Sequence, residues 1–338
     1  MMLRQVVVGS LLAVVSMGSV ADTLWLDNGD RVSGKVEFLD AGKLVLRTEY
    51  AGTVSVDIAR VRTFTSEEPV LVRLKNGNEY TVQLAEAEAP GEVMLRVPNR
   101  RPVATQISSI QRLLVPRPVV HDMVWEGDIT AELDLKDTSG NEKREIDIDL
   151  ASSLQHGRWR HDVALDYDRD YTDDVETSHT LDASYDLNRF LTDQWFWSSR
   201  LRYKRDHLEE LARQRQFGTG PGYQWWNNAL GRFETSVLAS RWWTEQRDGT
   251  RDKYDALGLQ WDYRRYLFGK RFELFHNAET QLPDDPSVRY LMDAELGLRY
   301  RLTSWASLSI KGEWDYLNTT DDTGYHDTTY TLGLGVGW

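Results

Sequence analysis

The sequence predicts an all-β chain: a twelve-stranded antiparallel transmembrane β-barrel preceded by a small periplasmic domain of two SH3-like/Sm-like β repeats. Three observations carry this expectation. Alternating apolar and charged runs fill the chain from about residue 124 onward, an internal repeat precedes them, and the last residues are an alternating strand that ends on tryptophan.

The first element is a leader. Val6 to Ala21 is a charge-free apolar run behind Arg4, and Ser19-Val20-Ala21 has the small-x-small form of a cleavage site. The run is short of the roughly 20 residues a spanning helix needs. It is therefore read as a signal peptide, residues 1–21. There is no cysteine, which excludes thiolate metal sites and disulfide scaffolds. A net charge of −13 leaves no electrostatic footprint for nucleic acid. The 13 Trp and 15 Tyr are residues that favour membrane interfaces, where an apolar ring and a polar tip are both satisfied.

Residues 22–118 form the second element. Leu26-Asp27-Asn28-Gly29 recurs as Leu74-Lys75-Asn76-Gly77, Leu46-Arg47 as Leu95-Arg96, and Ile58…Val61 as Ile107…Ile110, at offsets of 48 and 49 residues. Short alternating runs separated by Asn-Gly and Gly turns read as strands and hairpins. Each copy then suggests a unit of four or five short strands, the two packed side by side. A plain spacer with no ligand and a module binding peptidoglycan or a periplasmic protein both remain open. Pro116-Arg117-Pro118 reads as a stiff linker.

The third element, residues 119–338, is the barrel. In the first run Trp125, Gly127, Ile129, Ala131, Leu133 and Leu135 share one face, with Glu126, Asp128, Thr130, Glu132, Asp134 and Lys136 on the other. Successive strand side chains alternate faces. The runs are far longer than the roughly 5–6 residues of an ordinary strand and reach the about 9–11 needed to cross a bilayer at a tilt. Twelve are expected: 124–136, 144–156, 158–170, 176–189, 194–206, 213–226, 231–244, 252–267, 271–282, 288–302, 305–318 and 325–338. Connections after even-numbered runs are short. Those after odd-numbered runs, such as HLEELAR and QRDGTRD, are mostly longer and more polar. Outer-membrane barrels have short periplasmic turns and longer outer loops, so both barrel termini and the N-terminal domain are expected in the periplasm of a Gram-negative-type cell.

The closing strand places Tyr330, Leu332, Leu334, Val336 and Trp338 on one face, opposite Thr331, Gly333, Gly335 and Gly337. This is the form an assembly signal for the barrel assembly machinery takes. In lipid every backbone polar group must be paired, so this strand is expected to close against the first. The segments Tyr203-Lys204-Arg205-Asp206, Gly218-x-Gly220-x-Gly222-Tyr223 and the closing TLGLGVGW resemble those of the salt-induced outer-membrane protein family. The resemblance covers about residues 125–338. It implies a barrel acting in envelope integrity or osmotic adaptation, and it leaves the N-terminal repeat outside.

No catalytic motif or metal set stands out, and no cofactor is expected. Gly218, Gly220 and Gly222 fit neither phosphate-binding glycine pattern; in a strand they signal close backbone approach. His179, Ser199 and His276 share the lipid-facing parity, and a Ser–His pair on the outer wall would support a lipid-modifying enzyme. None has a His-x-Ser companion. The inward parity is richer. Glu126, Asp128, Glu132, Asp134, Asp147, Asp149, Asp166 and Asp182 form an acidic wall; Arg200, Arg202, Lys204 and, further round, Arg299 form a basic sector. Such a lining sets ion and solute preference in a pore. A twelve-stranded barrel has a backbone radius of about 12 Å, so long Arg and Glu side chains can also cross the lumen and close it. A narrow channel for small polar or ionic solutes and a plugged barrel both follow. The expected surroundings are outer-membrane lipid.

Overall fold

The computed structural model describes residues 21–98, 100–116, 121–138, 141–303, 305–320 and 324–338. The leader expected at 1–21 lies outside the described residues apart from Ala21, as does most of the Pro116-Arg117-Pro118 linker.

The first half of the N-terminal domain comprises β1 (Asp22–Leu26), β2 (Arg31–Asp40), β3 (Lys43–Thr48), β4 (Gly52–Asp57) and β5 (Val61–Phe64). The second comprises β6 (Ser66–Leu74), β7 (Glu79–Glu86), β8 (Glu92–Arg96), β9 (Val103–Gln106) and β10 (Ile110–Leu114). Pairing runs β5-β1-β2-β3-β4 in one half and β10-β6-β7-β8-β9 in the other. A single 3-10 turn, Ile58–Arg60 or Ile107–Ser109, precedes the last strand of each.

The repeated Leu-x-Asn-Gly folds the same way twice. Gly29 and Gly77 take φ of +91° and +88°, a region that only glycine enters freely. The Asn28 and Asn76 side chains each accept from the backbone N–H two residues on, at 3.0 Å. The sequence suggests units lying side by side; the structure fuses them. β10 pairs with β2 through Leu113↔Leu39 and Leu114↔Phe38, giving one ten-stranded sheet. Leu24, Leu44, Phe64, Val72, Val93 and Leu113 from both halves share one buried core.

The barrel is closed and antiparallel, each strand pairing with its sequence neighbours. It comprises β11 (His121–Thr138), β12 (Asn141–Gly157), β13 (Trp159–Thr172), β14 (Val175–Phe190), β15 (Trp195–Asp206), β16 (Arg213–Asn228), β17 (Gly231–Glu245), β18 (Arg251–Leu267), β19 (Phe272–Pro283), β20 (Val288–Arg301), β21 (Ala306–Thr319) and β22 (Tyr325–Gly337). All twelve expected runs are strands. β11 meets β22 at Asp128↔Gly337 through Ala131↔Leu334, and the main chains of Gly127 and Trp338 exchange hydrogen bonds of 3.2 and 2.9 Å.

Trp338 packs edge-on against Trp125 at 5.7 Å. A Cβ on Gly127 would lie 2.4 Å from the Trp338 ring, so glycine there makes room for the terminal indole at the seam. Gly222 does the same for Phe196, whose ring lies 2.2 Å from where a Cβ would sit, and Gly218 for the Ser240 hydroxyl.

One expectation is corrected. The YTDDVE connection after the third barrel strand is shorter than expected, because the strands continue into the polar segment. β13 and β14 are joined by Asp173 and Asp174 alone, both with positive φ. The two ends differ in polarity more than in loop length. One end carries the turns at 191–194, 229–230 and 268–271 together with both barrel termini (the turn end); the other carries the segments at 173–174, 207–212, 246–250 and 284–287 (the loop end).

The N-terminal domain seats on the turn end. Phe38, Val45 and Leu114 pack with Ala229 and Leu230 of the turn between β16 and β17. Lys270, in the turn between β18 and β19, donates to Glu37 at 2.7 Å, and both side chains are 10% exposed. Arg265 reaches Asp40 at 3.2 Å. Burial pushes the Glu37 carboxyl up, but Lys270 and Arg47 more than offset it and hold it below the usual glutamate range.

Candidate functional site

Strand alternation sends every second side chain into the lumen, and here those side chains are ionic. Like charges face one another across neighbouring strands: Asp147↔Asp168, Asp149↔Asp166↔Asp182 and Asp162↔Asp186. Directly opposed like charges are destabilising, so cations must interleave. They do so in layers.

Nearest the turn end, Arg160 forms a bidentate pair with Glu234, at 2.8 and 2.6 Å. The two strands have three others between them, so the pair crosses the lumen. Their side chains are 5% and 6% exposed. Arg160 also reaches Asp162 at 2.9 Å and lies over the rings of Phe190 and Phe196. Arg232 pairs with Asp262 at 2.9 Å. On the opposite side of this layer Glu273, 2% exposed, is held by Arg264, Arg299 and Arg301 at 3.4, 3.5 and 3.2 Å. Arg299 stacks on Phe275 and pairs with Asp128 at 2.8 Å. The turn end of the lumen is therefore filled by three phenylalanines and a net of guanidinium–carboxylate contacts.

The middle layer belongs to the expected basic sector. Arg200 forks onto Asp186 at 2.7 and 2.8 Å and crosses to Glu279 at 2.7 Å. Arg202 forks onto Asp182 and reaches Asp293 at 3.5 Å. Lys311 crosses to Asp149 at 2.8 Å. The planar guanidinium fork matches a carboxylate with two parallel hydrogen bonds, which is why arginine dominates both layers. Lys204 and Asp166 line the same space and form no ion pair among the described residues.

Towards the loop end carboxylates predominate. Single oxygens of Asp147, Asp168 and Asp170 lie within 4.8 Å of one another, and Ser178 donates to Asp168. Oxygen donors of this kind suit a hard cation, and here they form one stretch of an acidic wall. Glu126 also faces the lumen, whose free volume is about 1530 Å³. Arg47 and Thr53 of the N-terminal domain reach the rim of that space beside Lys270, so the domain overhangs the turn-end mouth.

Of the residues singled out from sequence, the structure brings together Asp128 with Arg299 and Asp182 with Arg202, while Asp149 meets Lys311 and Arg200 meets Asp186. Glu132 and Asp134 pair by main chain with Asp147 and Glu145; their side chains lie outside the described residues. The expected transverse field is reduced, because Arg200, Arg202 and Arg299 of the basic sector are neutralised pairwise rather than facing the acidic wall across open water. Arg160, Glu234, Glu273 and Glu279 were not singled out, although inward parity on their strands would have exposed them. The inward phenylalanines carried no such signal, since an aromatic on the polar face breaks the alternation.

The outer-wall residues do not assemble a hydrolase pair among the described residues. Ser199 shares a hydrogen bond with Thr219 at 3.0 Å. His179 stacks on His207 at 3.9 Å. His276 contacts the Glu295 carbonyl at 2.7 Å.

Among known structures, the chain is similar to the translocator domain of the autotransporter NalP from Neisseria meningitidis (TM-score 0.38, 11% identity, 64% of this chain and 88% of that one). It is also similar to the NanC porin (TM-score 0.35, 9% identity, 63% and 97%). A third is the outer-membrane channel DcaP of Acinetobacter baumannii (TM-score 0.29, 11% identity, 94% and 93%). At these identities and scores the likeness carries nothing beyond a shared β-barrel architecture. No curated protein matches significantly. Residues 131–338, more than half of the chain and almost the whole barrel, match the model of a family described as protein of unknown function, DUF481, and the chain belongs to that family.

Proposed function

We propose that this is an outer-membrane barrel of the salt-induced type, with its loop end outside the cell and its turn end and N-terminal domain in the periplasm. Its role is envelope integrity or osmotic adaptation, through a narrow passage for small ions or polar solutes that cross-lumen ion pairs restrain. The carrying observation is that, among the described residues, five pairs bridge non-adjacent strands: Arg160–Glu234, Arg200–Glu279, Arg202–Asp293, Arg299–Asp128 and Lys311–Asp149. Planar-bilayer recording of the full chain tests it. The wild type should give small, cation-preferring events. Arg200→Ala with Arg202→Ala should enlarge them, raise cation preference and lower the unfolding temperature, because Asp182, Asp186 and Glu279 lose their partners. Unchanged conductance, selectivity and stability in that variant would sink the reading.

A second reading is favoured by the seating of the N-terminal domain on the turns through Phe38, Leu230 and Lys270. In it the barrel anchors a domain that engages peptidoglycan or a periplasmic protein. Retention of the full chain, but not of protein lacking residues 22–118, on purified peptidoglycan would support it.

A further inference from the structure

Outside the lumen, the barrel wall turns basic on four adjacent strands near the loop end. Cross-strand register puts Arg205, Arg213, Glu245 and Arg251 in one row, and Tyr203, Arg215, Trp243 and Lys253 in the next row toward the middle. These two rows hold five cations and one carboxylate, in a chain whose net charge is −13. The row below is neutral, because Arg241 is forked onto Asp255 at 2.6 Å.

Glu245 is shared between Arg213 and Arg251, at 3.2 and 3.3 Å. Arg205, Arg215 and Lys253 are exposed and have no carboxylate within 4.0 Å among the described residues. Arg205 and Arg213 stand directly opposite one another, a like-charge pairing that costs stability unless an anion bridges it. A groove of about 950 Å³ runs along the outer wall from this patch, lined by Tyr203, Arg215 and Trp243 at its basic end and by Val163, Leu201 and Phe217 in the row below.

That order, cations above, Tyr and Trp between, aliphatic and Phe side chains below, matches the order of a phosphorylated acyl lipid from headgroup to chain. Arginine forks bind phosphate bidentately. Four strands at about 4.8 Å spacing make the upper row roughly 14 Å wide, too wide for one phosphate to span.

We propose that this patch binds a bisphosphorylated acyl glycolipid, its phosphates held by Arg205, Arg213, Arg215 and Arg251 and one acyl chain lying in the groove beside Leu201, Phe217 and Trp243. The assignment of that lipid to the outer leaflet rests on the orientation proposed above; the binding itself does not.

The test uses the full-length protein in non-ionic detergent, with bisphosphorylated lipid A, phosphatidylglycerol and phosphatidylethanolamine offered separately and retention read by native mass spectrometry. Lipid A should be retained selectively, and less so as salt rises. Arg205→Gln with Arg215→Gln should weaken its binding roughly thirtyfold, at about fivefold for each basic side chain near an anionic headgroup. Arg241→Gln, one row lower and already paired, should leave it unchanged. Heat-modifiable gel mobility establishes that each variant is folded. Equal retention of either phospholipid, a folded double variant that binds like the wild type, or an equal loss in Arg241→Gln would each overturn the proposal. Labelling of loop cysteines in intact cells tests the orientation separately.

Discussion

The two regions of this molecule use the same period-two alternation and bury opposite faces. In the N-terminal domain Leu24, Leu44, Leu46, Phe64 and Leu113 are almost wholly removed from solvent, and the polar alternates face out. In the barrel, Trp125, Ile129, Leu201, Leu257 and Leu332 stand exposed on the outer wall. Glu234, Glu273, Gln216 and Arg160 are buried, beside Phe190, Phe196 and Phe275. A dry apolar core holds the first region, at about 25 cal/mol per Å² of apolar surface removed from water. Paired charges hold the second, and each of these stabilises only while its partner is present. The cost of truncating an apolar core side chain therefore follows the volume lost, whereas that of truncating an ionic one follows the charge left behind.

The largest expected effect breaks the ionic core. Arg160→Ala leaves buried Glu234 with only Arg232, 3.9 Å away, and should cost about 3–5 kcal/mol. It should lower the temperature of heat-modifiable unfolding and leave the N-terminal domain's own melting unchanged. Leu46→Ala, its counterpart in the apolar core, should cost about 2–5 kcal/mol, confined to residues 22–114. Differential scanning calorimetry of both variants checks this; one shared transition shifted equally by either change would show the regions melt as a unit.

The junction between the regions comes next. Glu37→Gln removes the carboxylate that Lys270 and Arg47 share and should loosen docking by about 1–3 kcal/mol. The folded-state carboxyl titrates below the usual glutamate range. Its contribution is thus complete above the ordinary glutamate pKa of about 4.3 and is lost as pH falls through the lowered value. Hydrogen-exchange protection at Ala229 and Leu230, taken relative to the intrinsic exchange rate at each pH, should therefore fall on acidification in the wild type and show no such carboxylate-dependent limb in Glu37→Gln.

Trp338→Asp acts at the seam. It removes the Trp125 contact and places a carboxylate beside lipid, for a loss of about 1–2 kcal/mol. Its larger consequence is kinetic, a fall in folded barrel recovered from membranes. Normal recovery would deny this residue a role in assembly. The smallest energetic effect, and the sharpest topological one, comes from Asp173→Cys and Asp248→Cys. Both should react with an impermeant thiol reagent on intact cells; labelling only after lysis would invert the orientation.

Much of this was legible in the residues. Twelve strands, their faces and the closing of Tyr330–Trp338 against the first strand follow from alternation and length, because a strand has only two faces and a bilayer fixes how long it must be. The Asn-Gly repeat likewise specified two equivalent turns, since φ near +90° leaves few residues other than glycine. Tertiary structure alone decided which charges meet. Arg160 and Glu234 are 74 residues apart and Arg200 and Glu279 are 79, and only the curvature and stagger of the closed sheet set them at hydrogen-bond distance. The seating of Phe38 on Leu230 was equally hidden, because an apolar residue in a turn names no partner. Parity assigns a side chain to a face; closure of the barrel assigns it a neighbour.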